Sequence, residues 1–285
     1  MESVGYFSLY FIYYGISYFI TKSLLTWFKG NRWYAPNFKG ELILQSVGLL
    51  IIVHSAVYQI LIHGYVFLFD DVLLKSLYDY QGEVLLFFVI ITVMGLVGWI
   101  DDHFGDKEIK GLRGHFLTFI REFRVTSGML KAVYGLAVSV FCSYFYQTSF
   151  LHWVLLAALM LFSIHFFNLL DVRPGRVIKF FWIFLFFLLP FVLVDALLYL
   201  LIPVVISTII LFQYDRQRIA MLGDTGSNIV GGIFGFFLIT QASSFVQSVF
   251  LLLFVGLAVY AEKNSFTVYI QKNPLLSKVD RWGIR

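Results

Sequence analysis

The chain has 285 residues, of which 60% are hydrophobic, 20% aromatic and only 13% charged, about half the charge of a soluble domain. With a mean hydropathy of +0.83, it has too little polar surface to cover a globule in water, which excludes soluble, disordered, fibrous and disulfide-scaffold classes. The formal charge of +4 comes from short basic clusters between apolar runs, the mark of membrane topology rather than of a nucleic-acid face.

A hydrocarbon core of about 30 Å needs roughly 20 apolar residues in a helix. Nine predicted spans follow in chain order: 3–28, 41–63, 85–100, 128–147, 150–167, 179–194, 196–213, 229–242 and 246–262. The first opens with Glu2 rather than a basic segment and is too long for a signal core. No alternating ten-residue pattern of a barrel is present. The predicted fold class is therefore all-α: a polytopic transmembrane helix bundle forming one domain, 1–285, with a tail at 263–285. Cys142 lies in an apolar run and reads as a small core or lipid-facing group.

Nine spans divide the loops into two sets. One comprises 29–40, 101–127, 168–178, 214–228 and the tail; the other holds the N-terminus, 64–84, 148–149, 195 and 243–245. Of 21 Lys and Arg, only Lys75 lies in a loop of the second set, beside Asp70, Asp71, Asp79 and Glu83. The basic set is expected to face the cytoplasm.

Four polar clusters on that side require an explanation, because polar groups near the bilayer core are costly. The first is Gly98-Trp99-Ile100-Asp101-Asp102-His103-Phe104-Gly105-Asp106. Its adjacent carboxylates either form a solvated helix end or await a divalent cation or metal-bound phosphate. The basic segment Lys107 to Arg124 serves anionic lipid or an anionic substrate. The second cluster, Thr126-Ser127-Gly128-Met129-Leu130-Lys131, puts an ammonium about one turn inside an apolar run. Lys131 either snorkels or meets a carboxylate or phosphate.

The third, Asn168-Leu169-Leu170-Asp171-Val172-Arg173-Pro174-Gly175-Arg176, places Asn168 and Asp171 on one helical face. Pro174 ends the element, and Arg173 and Arg176 follow, either to fork onto phosphate or simply to mark the inside. The fourth is Met221-Leu222-Gly223-Asp224-Thr225-Gly226-Ser227-Asn228. Glycines beside an acid and small hydroxyls permit close backbone approach to a ligand. Acidic groups for Mg²⁺ with basic groups for phosphate are the components of phosphoryl-transfer chemistry.

In this order the motifs resemble those of the polyprenyl-phosphate sugar-1-phosphate transferases, enzymes of the bacterial plasma membrane. The resemblance runs from Pro36-Asn37-Phe38-Lys39-Gly40 to about Ser265. It includes the aspartate pair Asp101-Asp102, the basic Lys131, the Asn-x-x-Asp of Asn168 and Asp171, and Gly223-Asp224-Thr225-Gly226-Ser227. It implies a Mg²⁺-dependent cytoplasmic site that moves a phospho-sugar from a UDP-sugar onto polyprenyl (undecaprenyl) phosphate and releases UMP. On this basis Asp171 is the expected Mg²⁺ ligand. Asp101 and Asp102 orient the lipid phosphate through the metal or accept its proton. Asn168, Gly223 and Asp224 hold the nucleotide-sugar or order the metal's surroundings, and Lys131, Arg173 and Arg176 neutralise phosphates. Two departures stand out. Pro174 replaces the second aspartate of the family's Asn-x-x-Asp-Gly-x-Asp-Gly pattern, and the family's His-rich last loop is missing, with no His after His165. A diverged, non-catalytic member that binds lipid phosphate or supports envelope assembly is the alternative. A transporter would require a polar path at mid-membrane.

Overall fold

The structure is a computed structural model that describes residues 2–69, 79–105, 118, 120–121, 123, 125–191 and 195–284. Asp70, Asp71, Lys75, Asp106, Lys107, Lys110 and Arg124 lie outside the described residues.

The apolar runs fold as helices: α1 (Glu2–Gly30), α2 (Leu49–Phe69), α3 (Gln81–Phe104), α4 (Ser127–Tyr144), α5 (Phe150–Leu170), α6 (Arg176–Leu188), α7 (Leu201–Asp215), α8 (Gly223–Gln241), α9 (Ser244–Lys263), α10 (Phe266–Lys272) and α11 (Pro274–Arg281). Five helical stretches are long and apolar enough to cross a membrane: α2, α3, α5, the run Leu197–Asp215 containing α7, and Ser244–Glu262 within α9. The chain is thus an all-α membrane bundle. The remaining predicted spans are helical but shorter or more polar. The 13 residues of α6 rise only about 20 Å. Bulky apolar side chains such as Phe7, Phe67 and Phe245 stand exposed, at 74%, 88% and 78%, as lipid-facing residues do.

At the centre runs α8, buried from Thr225 to Ile239 and packed chiefly between α3 and α5. Its glycines make that possible. A Cβ at Gly231 would lie 2.7 Å from the Ile164 Cα on α5, and one at Gly232 would lie 2.7 Å from the Ile90 side chain on α3. Small residues let backbones approach where lipid offers no hydrophobic drive for helix association. A separate buried polar joint ties α1, α2 and α7. The imidazole of His54 lies 3.2 Å from Thr21 Oγ1 and 2.8 Å from Ser207 Oγ.

Two boundaries differ from the sequence expectation. Residues 41–48 do not begin a helix. Tyr34–Pro36 (β1) and Leu42–Leu44 (β2) form an antiparallel hairpin, its turn held by the Asn37 side chain, which accepts from the Lys39 and Glu41 N–H groups. The following strand-like stretch pairs with 219–222: Met221 N donates to Leu44 O at 2.8 Å and Gly48 N to Leu222 O at 3.3 Å. Second, α8 starts at Gly223 rather than near 229, so the fourth polar cluster is the first turn of the central helix.

Candidate functional site

The C-terminal ends of α3 and α5 and the N-terminal ends of α4 and α8 converge, and they bring the four polar clusters together. Lys131 is the hub. Its ammonium lies 3.2 Å from Asp101 Oδ2 and 2.9 Å from Asp224 Oδ2, linking α3, α4 and α8. Asn168 on α5 donates to Asp224 Oδ1 at 2.5 Å and to Ser227 Oγ at 3.2 Å. Asp224 is therefore held from two sides by groups 93 and 56 positions away in sequence. The half-buried ammonium of Lys131 does meet carboxylates, as charge burial demands, and is not a snorkelling residue.

Asp102 has a different task from the one expected. Its carboxylate accepts from Asp224 N at 2.9 Å, Thr225 N at 3.2 Å, Thr225 Oγ1 at 2.6 Å and Ser46 Oγ at 2.6 Å. It caps the N-terminus of α8 from a neighbouring helix, satisfying the orphan N–H groups and meeting the positive end of the dipole. With four donors on it, Asp102 is a positioning residue. Ser46, which completes this cap, adopts φ 62°, a left-handed conformation rare for a residue with a Cβ. Gly223 has φ 69°, and a Cβ there would run into the Asp102 carboxylate. Gly98 allows the same approach, since its Cβ would lie 2.5 Å from Asp224 O.

Asp171 follows the last turn of α5, its backbone N–H bonded to Asn168 O at 3.2 Å. Among the described residues its carboxylate has no hydrogen-bond or ion-pair partner. Burial pushes its pKa well above the usual carboxylate range, making it a weaker acid, and Asp224, Asp215 and Asp102 push the same way while Lys131 opposes them. Of the site carboxylates, Asp101 and Asp224 lie within ion-pair distance of Lys131. Among the described residues, no three His, Cys, Asp or Glu side chains are grouped to hold a metal by themselves.

The turn after Asp171 is fixed by a residue the sequence reading missed. Asp215, at the end of α7, accepts from Gly175 N at 2.9 Å, where Gly175 takes φ 67° beneath Phe212. Arg173, on this turn, lies over the Phe38 ring at 5.1 Å and Lys39 lies over the same ring at 5.9 Å. Among the described residues neither cation is in an ion pair, although Glu41, already held by Asn37, is near enough to Lys39 to feel its charge, and the 36–40 hairpin turn and the 172–175 turn form a basic rim.

Arg176 corrects the expectation of a phosphate-binding group. It is fully buried, with Nε 2.7 Å from Asp280 Oδ1, Nη2 3.0 Å from Asp280 Oδ2 and Nη1 3.1 Å from Thr267 Oγ1. A two-pronged pair of this kind occupies the guanidinium. The tail is therefore docked against α6 through Arg176. Lys179, one turn on, donates to the Asp280 and Trp282 carbonyls.

The class that fold and site define is a polytopic α-helical membrane protein with an acidic cluster at one end of its central helix. No family model and no curated protein matches the chain.

Proposed function

We propose that the chain is a polyprenyl-phosphate sugar-1-phosphate transferase, crossing the bacterial plasma membrane nine times with the acidic cluster on the cytoplasmic side. The observation that carries this reading is the meeting of Asp101, Asp224, Lys131, Asn168 and the unpartnered Asp171 at one end of the bundle, beside a basic rim. The distribution of Lys and Arg among the loops supports the orientation.

The donor set suits Mg²⁺. That ion keeps several waters and binds through one or two carboxylates plus substrate phosphate oxygens rather than in an all-protein cage. Asp171, with its free carboxylate, would hold it, and when bound the ion neutralises the oxygens of the donor diphosphate. The chain's own residues supply alignment. Arg173 and Lys39 receive phosphate at the rim. Asp224, fixed by Asn168 and Lys131, stands at the first turn of α8 to orient the nucleotide-sugar. Asp102 holds that turn in place. Asp101 shares Lys131 and is the candidate acceptor for the proton of the lipid phosphate. In the reaction a lipid phosphate oxygen bonds to the sugar-bearing phosphorus, and the bond from that phosphorus to the bridging oxygen breaks. UMP leaves with the electron pair. Direct attack and a covalent enzyme intermediate give the same balance.

A second reading, a non-catalytic relative that binds lipid phosphate, is favoured by Pro174, buried in the turn that carries Asp171, and by the engagement of Arg176 in the tail. Product analysis discriminates. Purified protein with Mg²⁺, undecaprenyl phosphate and a panel of UDP-sugars releases UMP on the first reading, and on the second binds the lipid without releasing it.

A further inference from the structure

Between α6 and the docked tail lies an open groove of about 910 Å³. None of the residues lining it belongs to the acidic cluster. One wall is the stripe Trp182, Phe186 and Phe187 on α6, with Phe186 and Phe187 exposed at 71% and 60%. At the other end lie Lys179, Lys278 and Arg281. Lys278 and Arg281 are exposed on α11. Among the described residues neither has a carboxylate partner, and Arg281 spends hydrogen bonds only on Ser277. The ammonium of Lys179 is 1% exposed and is met by backbone carbonyls, while the nearest carboxylate, Asp280, is committed to Arg176.

The order of these groups is that of a lipid. From Lys179 to Phe187 the helix rises about 12 Å, from the cationic end of the groove to the exposed aromatic side chains of α6. Trp282 completes the tail side, its ring 6.1 Å from Phe212, which in turn lies 5.1 Å from Trp182. A free phosphate has no use for the aromatic wall, and an apolar chain alone has no use for the two exposed cations.

We propose that this groove is a binding site for one anionic phospholipid, its phosphate at Lys278 and Arg281 and one acyl chain along Phe186 and Phe187. Charge complementarity selects an anionic headgroup over a zwitterionic one, and the site is independent of the transferase reading. A bound lipid bridges α6 and the tail, adding to the Arg176–Asp280 pair.

The test uses the full-length protein equilibrated with vesicles of equal parts phosphatidylglycerol and phosphatidylcholine, then examined by native mass spectrometry. The wild type retains phosphatidylglycerol in preference. The variant Lys278→Gln/Arg281→Gln, on exposed positions, loses that preference by up to about thirtyfold, since each cation near an anionic headgroup contributes roughly fivefold. Benzoylphenylalanine in place of Phe187 captures the chain of phosphatidylglycerol in the otherwise wild-type protein, which keeps the test decisive if the double variant folds poorly. Equal retention of the two lipids by the wild type, equal retention of phosphatidylglycerol by wild type and double variant, or indiscriminate capture at Phe187 overturns the proposal.

Discussion

Asp280→Ala removes one half of a buried ion pair and leaves the other half in place. Arg176 is fully buried and Asp280 is 3% exposed, with two hydrogen bonds of 2.7 and 3.0 Å between them. Without the carboxylate, Thr267 is the side-chain partner left to the guanidinium among the described residues. Breaking such a pair costs about 3–5 kcal/mol, most of it the burden of an unpaired buried charge. An exposed neighbour such as Arg281 changes stability by no more than about 0.5 kcal/mol on substitution. At roughly 2–4 °C per kcal/mol for a chain of this order of size, Asp280→Ala lowers the thermal midpoint in detergent by about 10 °C, and Arg281→Ala leaves it nearly unchanged. A cysteine at Ser277, 5% exposed in the docked tail, becomes reactive to a soluble thiol reagent in the Asp280→Ala background. The paired change Arg176→Met/Asp280→Leu restores most of the midpoint, because apolar replacement of a whole buried pair is close to neutral. A midpoint for Asp280→Ala equal to that of Arg281→Ala would show that the tail is not held by this pair.

Three further outcomes are expected. Gly223→Ala is destabilised by about 1–2 kcal/mol from the left-handed backbone alone, and more through the Asp102 carboxylate it would strike, with turnover lost in parallel; an unchanged thermal midpoint would remove the close approach from the account. Lys131→Met lowers turnover by roughly 10²–10³-fold, the range seen when one preorganised electrostatic donor is removed, and steady-state UMP release reads it. Cysteines at Gln217 and Lys278 react with an impermeant reagent only from the cytoplasm and one at Lys75 only from outside; reaction of Gln217 from outside would contradict the nine-span topology. Arg176 is unsuitable for that experiment, since its replacement breaks the buried pair.

The residues that form the site were legible because each is costly in an apolar chain. Asp101, Asp102, Lys131, Asn168, Asp171 and Asp224 stood out against long apolar runs, and the structure joins five of them through hydrogen bonds or ion pairs. Their division of labour was not legible. Nothing in the spacing of Asp101 and Asp102 shows that one faces Lys131 and the other caps a helix 122 residues further on. Asp280 looked like one charge among several in a mixed tail, and its pairing with Arg176 spans 104 positions. Asp215 was hidden at the end of an apolar run. The hairpin was missed because Leu42-Ile43-Leu44 is a short apolar run, which periodicity cannot distinguish from the start of a helix; the Asn37 turn and the pairing with 219–222 decide it. The early start of α8 was missed for a related reason. Gly223 to Asn228 reads as polar loop, and only the cap supplied by Asp102 makes it the first turn of a buried helix.

The central claim is that an acidic cluster anchored at Asp171 transfers a phospho-sugar to a lipid phosphate. UMP release from UDP-sugars with undecaprenyl phosphate and Mg²⁺, compared between wild type and Asp171→Asn, tests it most directly. Asp171→Asn keeps the side-chain size and removes a charge that faces Asp224, Asp215 and Asp102. The account therefore predicts turnover lower by several orders of magnitude, only partly rescued by added Mg²⁺, with a thermal midpoint equal to or above that of the wild type. Glu83→Gln, at the start of α3, serves as the unaffected control. No UMP from the wild type with any UDP-sugar, turnover that persists in EDTA, or normal turnover of Asp171→Asn would contradict it.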